Sequence, residues 1–266
     1  MSFFSNLPLP LIFLVSIVLF AAAAEIGHSF GLRDKQEANI ATLQASILGL
    51  LALMLSFTFA MAVSRFDDRR GALLDEANAI GTAALRARLL PAPHDAACLG
   101  LLRDYVGIRV ALTKALEKPA PIDAMLAQSN ALQERLWKEA KEIASKDTSM
   151  VPTGQFIQAL NDTFDAQEKR ITAFRHRVPR IVFFALYGIA AVGIGFSGYA
   201  SGLERRRWRL PVYVVSLLAA SVILLIQDID RPDSGWVLVD PQPIIDAAEA
   251  LASYRVDTLP SPALYR

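Results

Sequence analysis

Cysteine, histidine and any surplus of one charge are scarce in this sequence. One cysteine, Cys98, stands among 266 residues. That excludes an intramolecular disulfide framework and any multi-cysteine metal site. The three histidines are His28, His94 and His176. They read as lying in a loop, a Pro-rich turn and a basic helix end. No two of them have the spacing that brings imidazoles together on a helix face. Lys plus Arg number 27 and Asp plus Glu 26, a formal net charge of +1. Nucleic-acid binders normally carry a strong basic excess, so that partner class is excluded. Charge is missing altogether from four stretches, residues 1–24, 38–64, 181–203 and 210–227. A helix crosses a bilayer with about 17–25 mostly apolar residues. An ordinary cytosolic enzyme is therefore excluded too.

What is present predicts an all-α membrane protein. Four transmembrane helices form two hairpins, with spans about 7–24 and 41–64, then 181–203 and 210–227. Ala21 to Ala24 resemble a signal cleavage site, but the preceding residues 1–6 carry no Lys or Arg. A secretory signal needs a basic start, so the first segment is expected to be a retained span. Between the hairpins lies a polar domain, residues 65–180, with 18 Lys plus Arg and 15 Asp plus Glu. Pro91 and Pro93, Pro119 and Pro121, and the stretch 146–153 divide it into four segments. Proline ends helices. Apolar residues recur at helical spacing: Leu99, Leu102, Val106, Val110 and Leu116; Leu126, Leu132, Leu136, Ala140 and Ile143; Phe156, Leu160, Phe164, Ile171 and Phe174. No proline interrupts residues 41–90, which predicts one long helix running out of the membrane. Residues 228–266 are expected to form a turn, a short helix over 243–254 and a tail.

An even number of spans puts both termini on one side. Arginines near spans favour the cytoplasm. Eight basic residues flank the middle domain: Arg65, Arg69 and Arg70, then Lys169, Arg170, Arg175, Arg177 and Arg180. The short loops hold six: Arg33, Lys35, Arg205, Arg206, Arg207 and Arg209. The count places the domain and both termini in the cytoplasm.

Most motifs that resemble chemistry fail on context. Gly193, Gly195 and Gly198 match the dinucleotide fingerprint. That motif must follow a strand and open a helix, and here it lies inside a charge-free span. Close helix packing through Gly188, Gly195, Gly198 and Gly202 is the expectation instead. Asp228, Asp230 and Asp233 start like a calcium loop, but Pro232 and Gly235 stand at the wrong positions. The alternatives are a looser cation site or a capped span end with Asp228 or Asp230 paired to Arg231. There is no nucleophile elbow, phosphate loop or other catalytic constellation, and no cofactor is implied.

Span two carries a clearer pattern. Ser46, Gly49, Leu53, Ser56, Ala60 and Val63 advance in steps of three and four, and most are small or polar. Such a face serves either as a helix seam or as the lining of a pore in an oligomer. Arg65, Arg69 and Arg70 follow it, either as pore-mouth cations attracting anions or as interfacial anchors. Glu76 and Asn78 interrupt an otherwise apolar helix. They either bridge to a neighbouring helix or face solvent.

These residues resemble a known family. Ser46-Ile47-Leu48-Gly49 and Arg65-Phe66-Asp67-Asp68-Arg69-Arg70 are similar to the aliphatic span and Arg–aromatic–acid–Arg string of bestrophin channels. With Glu76 to Thr82, Leu89-Leu90-Pro91, Arg177-Val178-Pro179, Asp228 to Pro232 with Gly235, and Gln242-Pro243, the chain looks like the bacterial bestrophin-like proteins. The resemblance implies a pentamer in the bacterial inner membrane, with span two lining a central pore for small inorganic ions. Bestrophins carry a polar stretch with an Arg before the aromatic string. This chain has Phe57-Thr58-Phe59-Ala60-Met61-Ala62 there, so Phe57 and Phe59 either form a hydrophobic constriction or face lipid. The alternative reading is a non-conducting scaffold or sensor whose helical domain binds a partner.

Overall fold

The computed structural model describes residues 8–34, 40–115, 122–146, 150–204 and 209–254. Lys35, Leu116, the arginines 205–207 and the tail from 256 lie outside them. All regular structure among the described residues is helical, in accord with the all-α expectation. The order is α1 (Leu9–Arg33), α2 (Ile40–Ala87), α3 (His94–Ala115), α4 (Ile122–Lys146), α5 (Gln155–Arg175), α6 (Arg180–Leu203), α7 (Leu210–Asp230) and α8 (Gln242–Ser253). Four helical stretches, holding α1, α2, α6 and α7, are long and apolar enough to cross a bilayer. Pro152 stands in the break between α4 and α5. The chain divides into two compact units, Met1–Asp67 with His176–Leu238 and Asp68–Arg175 with Val239–Arg266.

The first unit is the membrane unit. Its core is built from Phe20, Leu186, Ala190, Ile194, Ala220, Ile223 and Ile226, all fully buried. α1 and α6 meet backbone to backbone. A Cβ on Gly198 would lie 2.1 Å from the Ala24 carbonyl oxygen, and one on Gly202 2.3 Å from that of His28. Gly27 and Gly31 answer from α1, against the carbonyl oxygens of Gly195 and Tyr199 at 2.0 and 2.2 Å. Gly195 itself has ordinary clearance, and a Cβ on Gly188 meets nothing within 4 Å. The expected small-residue packing thus rests on two of the four named α6 glycines and on two α1 glycines.

α1 runs nine residues past the expected end of span one, from Glu25 to Arg33. The charge at Glu25 does not stop it, because Arg209 Nη1 donates to Glu25 Oε1 and Oε2 at 2.8 and 2.6 Å and the Tyr213 hydroxyl donates to it too. His28 is accordingly a buried helix residue rather than a loop residue. A second polar tie joins three helices of the unit. Ser16 Oγ and Gln227 Nε2 lie 2.7 and 3.2 Å from the Tyr187 hydroxyl, which joins α1, α6 and α7.

The second unit is a helical bundle made from residues 68–87 of α2 with α3, α4, α5 and α8. Alanines 77, 83, 84 and 87 give α2 a smooth buried face. Leu99, Leu102, Leu136, Ile143, Phe156 and Leu160 fill the interior, and Ile244 and Leu251 of α8 complete it. Arg103 fastens α8: its Nε donates to the Leu251 carbonyl at 3.0 Å and its Nη2 to that of Tyr254. Arg88 lies 5.0 Å above the Tyr254 ring, a cation–π contact.

Gly198→Ala is expected to destabilise the membrane unit by about 1–3 kcal/mol, the cost of forcing a methyl into a closed contact. Gly188→Ala should change nothing, and thermal unfolding in detergent separates the two. Cys98 is fully buried, and burial, with Glu139 and Asp95 adding to it, pushes its thiol from 9.0 up to about 12. The folded protein should resist iodoacetamide at pH 8 and react fully once unfolded. Between pH 9 and 12 the native state holds this proton more tightly than the unfolded chain. Its contribution to stability is therefore complete below pH 9 and falls as pH rises toward 12.

Candidate functional site: the bare face of α2 and the buried Glu76 cluster

A helix turns about 100° per residue. On α2 that places Ser46, Gly49, Leu53, Ser56, Ala60 and Val63 within an arc of about 100°. Ser46, Gly49, Leu53, Ser56 and Ala60 are exposed in the subunit and Val63 is half-buried. The opposite side, with Leu51, Thr58 and Ala62, is buried in the membrane unit. The hydroxyls of Ser46 and Ser56 donate to the carbonyls one turn back, of Thr42 and Ala52, both at 2.9 Å. Each keeps a lone pair for a ligand or water on the exposed face.

Phe57 and Phe59 do not share a direction. Residues two apart on a helix point about 160° away from each other. Phe57 falls beside Leu53 and Ser46 and is 61% exposed. Phe59 lies on the flank beyond Val63 and is 38% exposed. A ring of one residue per subunit around a common axis can use one of them, and Phe57 is the one that shares the Ser46 face.

The arginines also separate by phase. Arg69 comes about 170° from the middle of the bare face and is 6% exposed. Arg65 is half-buried. Arg70 is exposed and falls next to Val63 in projection. Of the three, Arg70 continues the bare face.

In the second unit Glu76 is fully buried and Asn78 is exposed. Glu76 therefore takes the bridging role and Asn78 faces solvent. Arg109 Nε of α3 lies 2.6 Å from Glu76 Oε1, and Arg170 Nη1 of α5 lies 2.5 Å from Oε2. The Arg109 approach falls off the line of its N–H, so the contact is an ion pair rather than an aligned hydrogen bond. Arg170 Nη2 donates to Thr113 Oγ1 at 2.6 Å. The Tyr105 hydroxyl donates to Gln167 Oε1 at 3.0 Å, and Gln167 Nε2 donates to Asn130 Oδ1 at 3.0 Å. Burial holds the Arg170 guanidinium below its usual range; Glu76 opposes that and Arg109 adds to it. Burial also pushes the Tyr105 phenol up, and the Glu76 charge pushes it further. Sequence reading reached Glu76, and Arg170 as a flanking cation alone, but not Tyr105, Arg109 or Gln167. The signal available was an Arg on the same helix stripe as Leu102 and Val106, where a solvated cation does not belong.

The residues after α7 act as a clasp within the membrane unit. Asp230 Oδ1 accepts from the Val178 amide and Asp228 Oδ1 from the Trp236 amide, both at 2.8 Å. Both acids thus cap backbone amides at the end of the span. Gly235 has a positive φ of 155°, and a Cβ there would lie 2.2 Å from Asp228 Oδ1, so this turn requires glycine. Among the described residues no three His, Cys, Asp or Glu side chains gather as a metal site.

The family model of the Bestrophin-like domain matches residues 11–244. The fold is similar to that of a bacterial bestrophin homologue from Klebsiella pneumoniae, with TM-score 0.64 and 15% identity over 92% of this chain and 96% of that chain. A variant of that homologue gives 0.63 and 16% over 92% and 99%. A further crystal structure, of a membrane protein variant, gives 0.65 and 17% over 92% and 95%. No curated protein matches the chain. Four apolar helices and a family match over nearly the whole chain agree: this multi-pass membrane protein belongs to the bestrophin-like family, which is of the ion-channel type and not enzymatic.

Proposed function

We propose that the chain assembles as a ring, a pentamer by family resemblance, in the bacterial inner membrane and conducts small anions passively. Both termini face the cytoplasm in this reading, which rests on the eight-to-six arginine and lysine count. α2 lines the pathway from Ser46 to Val63. The observation that carries the reading is the bare face itself. A helix otherwise packed by its opposite side leaves Ser46, Gly49, Ser56 and Ala60 uncovered, and small or hydroxylated residues are poor lipid anchors but leave room for water. Leu53 and Phe57 on the same face supply an apolar ring, the kind of constriction that gates by dewetting. Arg70 contributes positive potential where the face ends, and this favours anions.

The second reading is a scaffold or sensor. Its support is the same face, since small residues also let helices of neighbouring subunits approach closely.

Purified protein in a planar bilayer under a KCl gradient tests the two. The expected current reverses near the chloride equilibrium potential. Ser56→Trp is expected to cut it by about tenfold while the oligomer survives, as a plug in a narrow pore should. Phe57→Ala is expected to raise the current several-fold, and Phe59→Ala to leave it near the parent value. Reversal near the potassium potential would keep the channel and remove the role of the arginines. Silence from folded, oligomeric protein, with Ser56→Trp breaking the oligomer, would establish the scaffold.

A further inference from the structure

The Glu76 cluster does not balance. Arg109 and Arg170 bring two positive charges to one carboxylate. Among the described residues Glu76 is the one acid that either guanidinium contacts. Both its oxygens are taken, Oε1 by Arg109 Nε and Oε2 by Arg170. Arg170 is 11% exposed at its side chain and Arg109 is 0% exposed. Nη1 and Nη2 of Arg109, with four N–H bonds between them, are buried and have no hydrogen-bond partner. Leaving one member of a buried charge group uncompensated is strongly destabilising.

One more orphan stands on the facing helix. Ser129 Oγ is buried without a partner, one turn before Gln133 on α4. The register of α3 against α4 brings Ser129 to the level of Arg109. His94 Nδ1 lies 3.2 Å from Glu139 Oε2, and Gln133 reaches Tyr105 further along. As residue number rises on α3 it falls on α4, so the pair is antiparallel. One turn beyond Tyr105 is Arg109, and one turn before Gln133 is Ser129. The two therefore stand at the same level of the helix pair.

A guanidinium can only donate, and the Ser129 hydroxyl can donate or accept. A neutral hydroxyl oxygen does not offset the excess positive charge. A metal cation would be repelled by Arg109. Water would satisfy N–H groups but leave the excess positive charge buried. A monatomic anion does both, and the closed surroundings of Arg109 favour a small one.

We propose that the extramembrane bundle holds one halide ion against the terminal guanidinium nitrogens of Arg109, opposite Ser129. This site is a structural counter-ion site inside each subunit. It does not depend on whether the α2 face conducts.

The test uses full-length protein in detergent, compared in sodium bromide and sodium gluconate at equal ionic strength. Bromide should raise the thermal midpoint saturably, by about 3 °C or more once the site is filled. Crystals grown in bromide should give an anomalous peak beside Arg109 Nη1 and Nη2. Ser129→Asp tethers a carboxylate where the ion would sit. It should raise the midpoint in gluconate and abolish the bromide response. Arg109→Gln should lose both the response and the peak. Equal midpoints in the two salts, with only water beside Arg109, would overturn the proposal. So would a bromide response that Ser129→Asp leaves unchanged. A peak that persists in Arg109→Gln would mark an adventitious ion only.

Discussion

Hydrocarbon offers no hydrogen bonds to a peptide group, so a spanning chain must satisfy its backbone internally. α2 meets that demand without a break for 48 residues. The residues that give it a role are superimposed on that unbroken ladder by phase. One side is packed by Leu51, Thr58 and Ala62; the other is left bare from Ser46 to Ala60. Further along the same helix, Glu76 is buried against Arg109 of α3 and Arg170 of α5, and Asn78, two residues later, is exposed. What is assigned to α2 is a matter of which way each of its turns points its side chains.

That explains what could be read from sequence. The spans follow from runs without charge, and the length of α2 from the absence of proline, because both are properties of a contiguous stretch. The stripe from Ser46 to Val63 is likewise a local spacing. Direction is less local. Phe57 and Phe59 look like a pair in sequence and diverge in space. Arg65, Arg69 and Arg70 look like a cluster, yet helical phase sends Arg69 into the packed side. The end of α1 was hidden for a different reason. Glu25 reads as the edge of a span, and only Arg209 and Tyr213, nearly two hundred positions later, make it acceptable inside a helix. Arg109 was hidden in the same way, since its counter-charge Glu76 lies on another helix.

The two units solve burial by opposite means. The membrane unit draws on contact, with glycines letting α1 and α6 touch and a few hydroxyl ties set among apolar side chains. The extramembrane bundle draws on side-chain volume at its ends and on ionic groups in its middle, where Glu76, Arg109 and Arg170 meet. Without tertiary partners an acid and two arginines at that level would each disrupt a core. Together they fix which helices are neighbours and at what height, the kind of specificity that apolar side chains alone supply less sharply.

The α1–α6 seam has a mechanical consequence. Most helix interfaces can adjust because their side chains change rotamer and slide past one another. A seam in which glycine Cα atoms rest on opposing carbonyl oxygens has no rotamers to change. It has no slack to absorb a shift, and a small slide along it would drive carbonyl into backbone. α1 and α6 are therefore a single plate. Any change of state within the membrane unit has to be taken up elsewhere, by elements joined through side chains, and within that unit the least encumbered of these is α2.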